Sequence, residues 1–335
     1  MNVTIKDIAN LAGVSYSTVS KALNDSDLVK PETKEKILKI AKELGYEPNF
    51  AAQRLVSKQT KTIGLVWPSI ERATLSTLVT KINEEISKHS YSMILSINPI
   101  KTSFEMFKRF QVDGMIVFEE NDETLTDQSL TSSIPTIAHG VAGNNVLPVI
   151  DVNWQQAMYD AVEYLYKLGH SKIAFIGDFS PVDRRQMEKF KGFQKAMKEF
   201  NLSVNAENLV NSGGLDWYDG YVATKKLLHS TYKPTALIGS SYDISSGIIR
   251  SLREENLIIP KDMSVIGYDN IPQMGTLETP LTSVGVPIDQ LAVKIVDSLM
   301  KLINDKSSVP HVQIMTPEIV ERASCSKSQK GTHNI

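Results

Sequence analysis

Residues 4–24 read TIKDIANLAGVSYSTVSKALN, a stretch that spells two short helices broken at Ala12-Gly13-Val14-Ser15. Thr4, followed three residues on by Asp7, resembles a capping box with Asp in place of Glu and predicts a helix over 5–12. Ile5, Ile8, Ala9 and Ala12 then share one face at helical spacing. Gly13 permits the positive φ that stops this helix, and Ser15 is a good N-cap for the next. The two helices meet across a turn of about three to four residues, which is a helix-turn-helix. In the second, Val19, Ala22 and Leu23 face inward and leave Tyr16, Ser17, Ser20, Lys21 and Asn24 outward. Such donors and acceptors suit a major groove, where base edges present distinct hydrogen-bond patterns.

Outward from that stretch, Pro31 to Leu44 predicts a third helix, opened by Pro-Glu and closed by Gly45. Ile37, Leu38, Ile40, Ala41 and Leu44 give it the stripe to complete a three-helix headpiece over 1–46. Residues 47–60 follow as a short hinge helix and linker, in which Ala51 with Leu55, and Ala52 with Val56, form a narrow apolar face. A helix this short falls below the roughly 12–15 residues that are marginal alone in water, so it is expected to fold only against a partner. An identical copy can approach closely across the small residues, and the pair can enter a minor groove and push Leu55 between base steps.

The length of 335 residues allows a small headpiece plus about two further domains. The net charge of −2 gives no bulk nucleic-acid signature, and the headpiece mixes Lys34, Lys36 and Lys39 with Glu32, Glu35 and Glu43. DNA affinity is therefore expected from local placement and from two headpieces acting together. The one cysteine, Cys325, excludes an intrachain disulfide framework and suits a reducing interior. With no N-terminal apolar signal and no apolar run of about 18 residues, the expectation is a cytoplasmic protein with no membrane partner.

From residue 62 strands alternate with helices: TIGLVW, a helix over 74–89, YSMILSI, DGMIVFE, IPTIAHG, a helix from about Gln155 to Leu168, KIAFIGD, helices near 185–200 and 216–230, TALIGS, a helix near 244–256, and SVIGYD. Such alternation predicts parallel sheets covered by helices on both faces. Leu281-Thr282-Ser283-Val284 is expected as a strand crossing between subdomains. Residues 324–335, rich in Ser and Lys, read as a flexible tail without leucine heptads, so a dimer is the simplest assembly.

These motifs together resemble the lactose-repressor/galactose-repressor (LacI/GalR) family of bacterial transcription factors. The resemblance is carried by TIKDIANLAGVSYSTVSKALN, by VKPETKEKILKIAKELGYEPN over 29–49, and by AAQRL followed by KTIGLV. It continues through GHSKIAFIGD, KGFQKAM, PTALI, VIGYDN, PLTSV and PEIVERAS. It implies a core over 61–323 similar to periplasmic sugar-binding proteins, with two parallel-sheet subdomains, about 61–160 with 290–323, and 161–289. It also implies that Tyr16, Ser17 and Lys21 read bases, that Leu55 is the intercalating hinge leucine with Ala52 beside it, and that Thr4, Ser15, Thr18, Ser20, Asn24 and Asn49 mainly position the phosphate backbone. Lys21 stands where the family often has arginine and lacks the planar fork of a guanidinium.

Ligands of open α/β sheets sit at the carboxyl ends of strands. Asp269, after VIGY, lies at such an end and matches a family position that accepts from ligand hydroxyls. The resemblance adds Lys189, where sugar-responsive members carry arginine; Trp217, near an aromatic that stacks on ligand, with Leu215 as the strict match; Ser241, where Asn-Asp is usual; and Ser69, in the loop after the first strand. Glu71-Arg72-Ala73-Thr74 replaces the usual Asn-Pro-Phe. Arg184 and Arg185 with Lys189 suggest a basic entrance favouring a sugar acid or sugar phosphate.

The function this implies is a sequence-specific DNA-binding regulator, a homodimeric repressor of carbohydrate-utilisation genes whose affinity for double-stranded operator DNA is changed by a small sugar-like effector. A nucleobase or protein corepressor is the alternative, and a solute-binding protein a distant one, since the latter has no use for residues 1–57. No glycine-rich phosphate loop, nucleophile elbow or metal-spaced His/Cys set occurs, so neither an enzyme, a cofactor nor a metal site is expected.

Overall fold

The computed structural model describes residues 3–23, 25–46, 59–118, 134–143, 146–305 and 309–329. The predicted hinge helix, with Asn49, Ala52 and Leu55, lies outside the described residues, as does Asn24. The chain divides into two units, Met1–Thr60 and Lys61–Ile335.

In the first unit, α1 (Ile5–Ala12), α2 (Tyr16–Leu23) and α3 (Pro31–Glu43) enclose Ile8, Ala9, Ala12, Val19, Ala22, Val29, Ile37 and Ala41. The Asp7 carboxylate takes both the Thr4 amide (2.8 Å) and the Thr4 hydroxyl (2.7 Å), which ties down the entry to α1. Gly13, at φ 69°, ends that helix in the left-handed region. Lys36 then crosses from α3 to donate to the Ala12 carbonyl at 3.0 Å, satisfying an acceptor that the helix end leaves open. The expected stripe on α3 is narrower than predicted. Ile37 and Ala41 are buried and Ile40 and Leu44 partly so, but Leu38 is 45% exposed. Ile37 already points at the core, so Leu38, a further ~100° around the helix, is carried away from it.

The second unit contains two sheets. Its strands are β1 (Thr62–Val66), β2 (Ser92–Ser96), β3 (Gly114–Phe118), β4 (Thr136–His139), β5 (Val149–Val152), β6 (Ile173–Gly177), β7 (Leu209–Asn211), β8 (Ala236–Gly239), β9 (Ser264–Asn270), β10 (Thr282–Pro287), β11 (Val312–Met315) and β12 (Glu318–Val320). The first sheet has the order β11-β5-β4-β3-β1-β2 and is parallel throughout. The second, β12-β10-β9-β8-β6-β7, is parallel except for the antiparallel edge strand β12. Fully buried runs such as β1 and β6 follow from helices covering both faces.

Those helices are α4 (Ala73–Lys88), α5 (Ile100–Phe110), α6 (Trp154–Lys167), α7 (Arg184–Glu199), α8 (Trp217–Leu228), α9 (Tyr242–Glu254), the short α10 (Gln273–Thr276) and α11 (Ile288–Asn304). Helices α8 and α9 pack so closely that a Cβ on Gly247 would stand 2.1 Å from the Trp217 carbonyl.

The subdomain boundaries differ from the predicted ones. Helix α6 packs on α7 and against β9, β10 and β12, so the chain passes to the second subdomain at Asn153 rather than near 160. Helix α11 packs on α4, β3 and β4, returning the chain to the first subdomain after Pro287. It crosses finally between β11 and β12, which places 318–323 with the second sheet. Amphipathic periodicity marks a buried face without naming the sheet it is buried on.

Nor is residue 324 the start of a frayed tail. Ser324 is fully buried, its hydroxyl accepting from the Thr282 amide (2.7 Å) and donating to the Val265 carbonyl (2.6 Å). Ser326 and Ser328 are held through the Ser264 hydroxyl (3.1 Å) and the Leu168 carbonyl (2.9 Å). The Ser324 hydroxyl and the amides of Ser326 and Ser328 thus find partners in the fold that composition does not reveal. Burial raises the Cys325 thiol to about 11, so it stays protonated at neutral pH.

Candidate functional site

Two sites emerge, one in each unit. In the headpiece, buried Val19 and Ala22 fix the roll of α2. Ser15 sits at its N-terminus, its hydroxyl accepting from the Thr18 amide at 3.2 Å and lying 2.8 Å from the hydroxyls of both Ser17 and Thr18. Tyr16, Ser17 and Lys21 are exposed along one side, with Thr18 and Ser20 half-buried beside them and Thr4 exposed at the start of α1. The helix thus presents a phenol, a hydroxyl and an ammonium within two turns.

In the core, a cavity of about 70 Å³ lies where the carboxyl ends of both sheets converge. The first subdomain contributes Thr74, Leu75 and Leu78 from α4, Arg72 just before it, Phe118 and His139 at the ends of β3 and β4, and Leu291. The second contributes Trp154, Asp183, Arg185, Gln186, Lys189, Tyr268, Asp269 and Asn270. Of the candidates named from sequence, Arg185, Lys189 and Asp269 are brought together here.

Asp269, the penultimate residue of β9, has φ 97°, an uncommon conformation for a residue with a side chain. One carboxylate oxygen accepts from the Thr74 hydroxyl of the opposite subdomain (2.7 Å) and from the Tyr242 amide (2.9 Å). Arg72 and Asp243 make a second crossing, Nε to Oδ2 at 3.4 Å, and Gln273 a third, donating to Thr77 Oγ1 at 2.9 Å. Both walls of the cleft are therefore latched to each other by polar contacts that a rotation of the subdomains would break.

Lys189 is 3% exposed. Its ammonium donates to the Ser240 carbonyl (2.8 Å) and lies 3.5 Å from the centre of the Tyr268 ring and 5.3 Å from that of Trp154. Burial pulls it from 10.5 down to about 7; Asp269 and Asp183 support its charge, while Arg72 and Arg185 oppose it. Arg185 stacks its guanidinium 4.2 Å over Phe118 and directs Nε to Asp183 at 3.3 Å. Asp183 also caps α7 by accepting from the amides of Arg185 (3.0 Å) and Gln186 (3.3 Å). Burial works against the Asp183 carboxylate, but the charges of Arg185 and Lys189 hold it below its ordinary value.

His139 places Nδ1 2.9 Å from the Ile150 carbonyl, which can only accept, so Nδ1 carries the proton. Burial lowers His139 to about 4, leaving a neutral ring whose Nε2 is an acceptor. Trp154 is oriented by Asp151, which takes the indole N–H at 2.8 Å.

Three candidates are not brought to this cleft. Trp217 is 53% exposed and packs edge-on against Tyr218 on the outside of α8. Ser241 is the N-cap of α9, accepting from the Ile244 amide at 3.2 Å. Ser69 accepts from the Glu71 amide at 3.1 Å in a turn outside the lining. Arg184, expected in a basic entrance, instead donates to the Ala142 carbonyl at 3.1 Å. Conversely, sequence reasoning missed Arg72, Thr74, Phe118, His139, Trp154, Asp183, Gln186, Tyr268 and Asn270. The strand-end rule that found Asp269 would also have pointed to Phe118 and His139.

A helix-turn-helix headpiece joined to a two-lobed α/β core with a polar cleft between the lobes defines a ligand-responsive DNA-binding regulator. Residues 4–49 match the family model "Bacterial regulatory proteins, lacI family", and 162–325 match "Periplasmic binding protein-like domain". The chain is 31% identical to catabolite control protein A of Priestia megaterium over 96% of its own length and 98% of that protein's. It is 32% identical to the transcriptional repressor PurR of Haemophilus influenzae strain PittEE, again over 96% and 98%. Among solved structures, the lac repressor dimer bound to operator and the anti-inducer ONPF shares the fold, at 24% identity and a TM-score of 0.84 over 97% of this chain and all of that one (100%). The chain belongs to the LacI family of bacterial transcription regulators. Those curated relatives are regulators rather than enzymes, and no helix among the described residues is long and apolar enough to cross a membrane.

Proposed function

We propose that the protein is a homodimeric repressor of carbohydrate-utilisation genes, released from its operator by a small sugar-like effector in the core cleft. Two headpieces occupy half-sites of a pseudo-palindrome, with Tyr16, Ser17 and Lys21 against base edges and Thr4, Ser15, Thr18 and Ser20 along the phosphates. Segments 47–60 form helices against each other at its centre and present Leu55 as a wedge.

The observation that carries this reading is the cleft itself, whose walls belong to different subdomains and are latched by Thr74–Asp269 and Arg72–Asp243. A ligand that fits one relative rotation better than another biases that rotation, and a marginal hinge helix converts the bias into order or disorder. The sugar class is supported by fold relatives whose structures hold cellobiose, in a regulator named CelR, and ribose, in a LacI family regulator from Enterococcus faecium.

The test is a footprint on the DNA upstream of the protein's own gene, with and without candidate sugars. Protection of a symmetric site that weakens with effector, and that Leu55→Ala weakens while the core stays folded, is the expected result. Full operator affinity in the Leu55→Ala protein would remove the wedge from the mechanism.

A further inference from the structure

Taking the cleft as the effector site, we propose that it selects a small hydroxylated ring bearing an anionic oxygen group, carboxylate or phosphate, and that Arg185 sets this selectivity. The cavity is lined by three cationic side chains, Arg72, Arg185 and Lys189, against two carboxylates, Asp183 and Asp269. Those carboxylates are already engaged. Asp269 accepts from Thr74 and Tyr242, and Asp183 from two α7 amides and Arg185 Nε. Arg72 is paired with Asp243.

What remains is Arg185 Nη1, buried and without a hydrogen-bond partner among the described residues. A buried guanidinium N–H group without a partner is costly, and an anionic oxygen is the group that satisfies it most strongly. Beside it the Gln186 side-chain oxygen is equally buried and unpartnered. It asks for a donor, as does His139 Nε2, and ring hydroxyls supply both. The faces of Trp154, Tyr268 and Phe118 give the ring's C–H groups an apolar seat. One site thus combines an edge for an anion, acceptors for hydroxyls and flat apolar walls.

Lys189 links this choice to protons. The charged groups facing it are Asp269 at the end of β9, Asp183 at the head of α7, Arg72 before α4 and Arg185 on α7, while His139 beside them is neutral. A bound anion adds support for the ammonium, so binding above pH 7 takes up protons.

Calorimetric titration of the full-length protein with glucuronate, galacturonate and glucose 6-phosphate, against glucose, galactose and ribose, tests the proposal. At least one anionic ligand is expected to bind tighter than every neutral sugar by tenfold or more, with proton uptake seen as a buffer-dependent enthalpy at pH 8. Arg185→Gln is expected to weaken that ligand roughly ten- to hundredfold, as loss of a charge-assisted bond does, and to leave neutral sugars within about threefold. Arg185→Lys, which keeps the charge, is expected to fall between, and thermal unfolding of both variants confirms that they fold.

Equal or tighter binding of a neutral sugar, unaltered anion affinity in Arg185→Gln, or no binding by any anionic ligand at millimolar concentration overturns the proposal. Release of operator DNA by a neutral sugar would overturn the anion preference while leaving the repressor reading in place.

Discussion

Replacing Lys189 by Met is expected to stabilise the core at neutral pH. The amine is fully enclosed and burial holds it at about 7 instead of 10.5. At about 1.4 kcal/mol per pH unit, that depression corresponds to about 5 kcal/mol of unfavourable burial at and below neutral pH. Met fills nearly the same volume without charge. It forfeits the bond to the Ser240 carbonyl and the cation–π contact with Tyr268, together about 2 kcal/mol. The net gain is about 3 kcal/mol at pH 7.

Its pH dependence is the sharper signature. Between pH 7 and 10.5 the unfolded chain binds a proton on this amine that the folded chain does not, so wild-type stability rises with pH across that window. The advantage of Met should therefore shrink by about 1.4 kcal/mol per pH unit above 7 and be gone between about pH 9 and 10. Urea unfolding at a series of pH values measures it. The chain's three tryptophans are Trp67, Trp154 and Trp217, all in the second unit, so their fluorescence reports on the core alone. A stability difference between the two proteins that stayed constant from pH 6 to 10, or a Met variant weaker at pH 7, would refute the reasoning.

Lys21→Ala, on the exposed side of α2, should cost about 1–3 kcal/mol of operator affinity and relax base preference at one position of each half-site, as read by gel shift on single-base operator variants. Gly247→Ala should lower the stability of the core by about 1–3 kcal/mol or more, because the new Cβ meets the Trp217 carbonyl and the Tyr221 amide, at 2.1 and 2.4 Å, rather than a flexible side-chain end. Headpiece helicity should be untouched, which circular dichroism at intermediate urea can separate. Gly13→Ala, at φ 69° with open space around the new methyl, should destabilise the headpiece by about 1 kcal/mol through backbone strain alone and lower operator affinity accordingly.

The helix starts at Thr4 and Ser15, the stop at Gly13 and the inward face of Val19 and Ala22 were legible because capping and periodicity act over three or four residues. The alternation of strand and helix across the core was legible for the same reason. Legibility stopped where identity depends on a neighbour distant in sequence. Helix α6 carries an apolar stripe whichever sheet it covers, so the boundary at Asn153 was not visible. Trp217 lies near a family aromatic and Ser241 stands where the family usually has Asn-Asp, yet the first turns to the surface of α8 and the second is consumed in capping α9.

From the amino-acid sequence alone came the headpiece, the class of core and the family, since each is written in local spacing and in motifs that survive without the rest of the fold. Tertiary structure decided the content of the cleft. Arg72 reaches Asp243 across 171 residues and Thr74 reaches Asp269 across 195. The same convergence removes Lys189 from water and leaves Arg185 Nη1 without a partner among the described residues, and neither burial nor a missing partner is a property of a residue until the chain has folded around it.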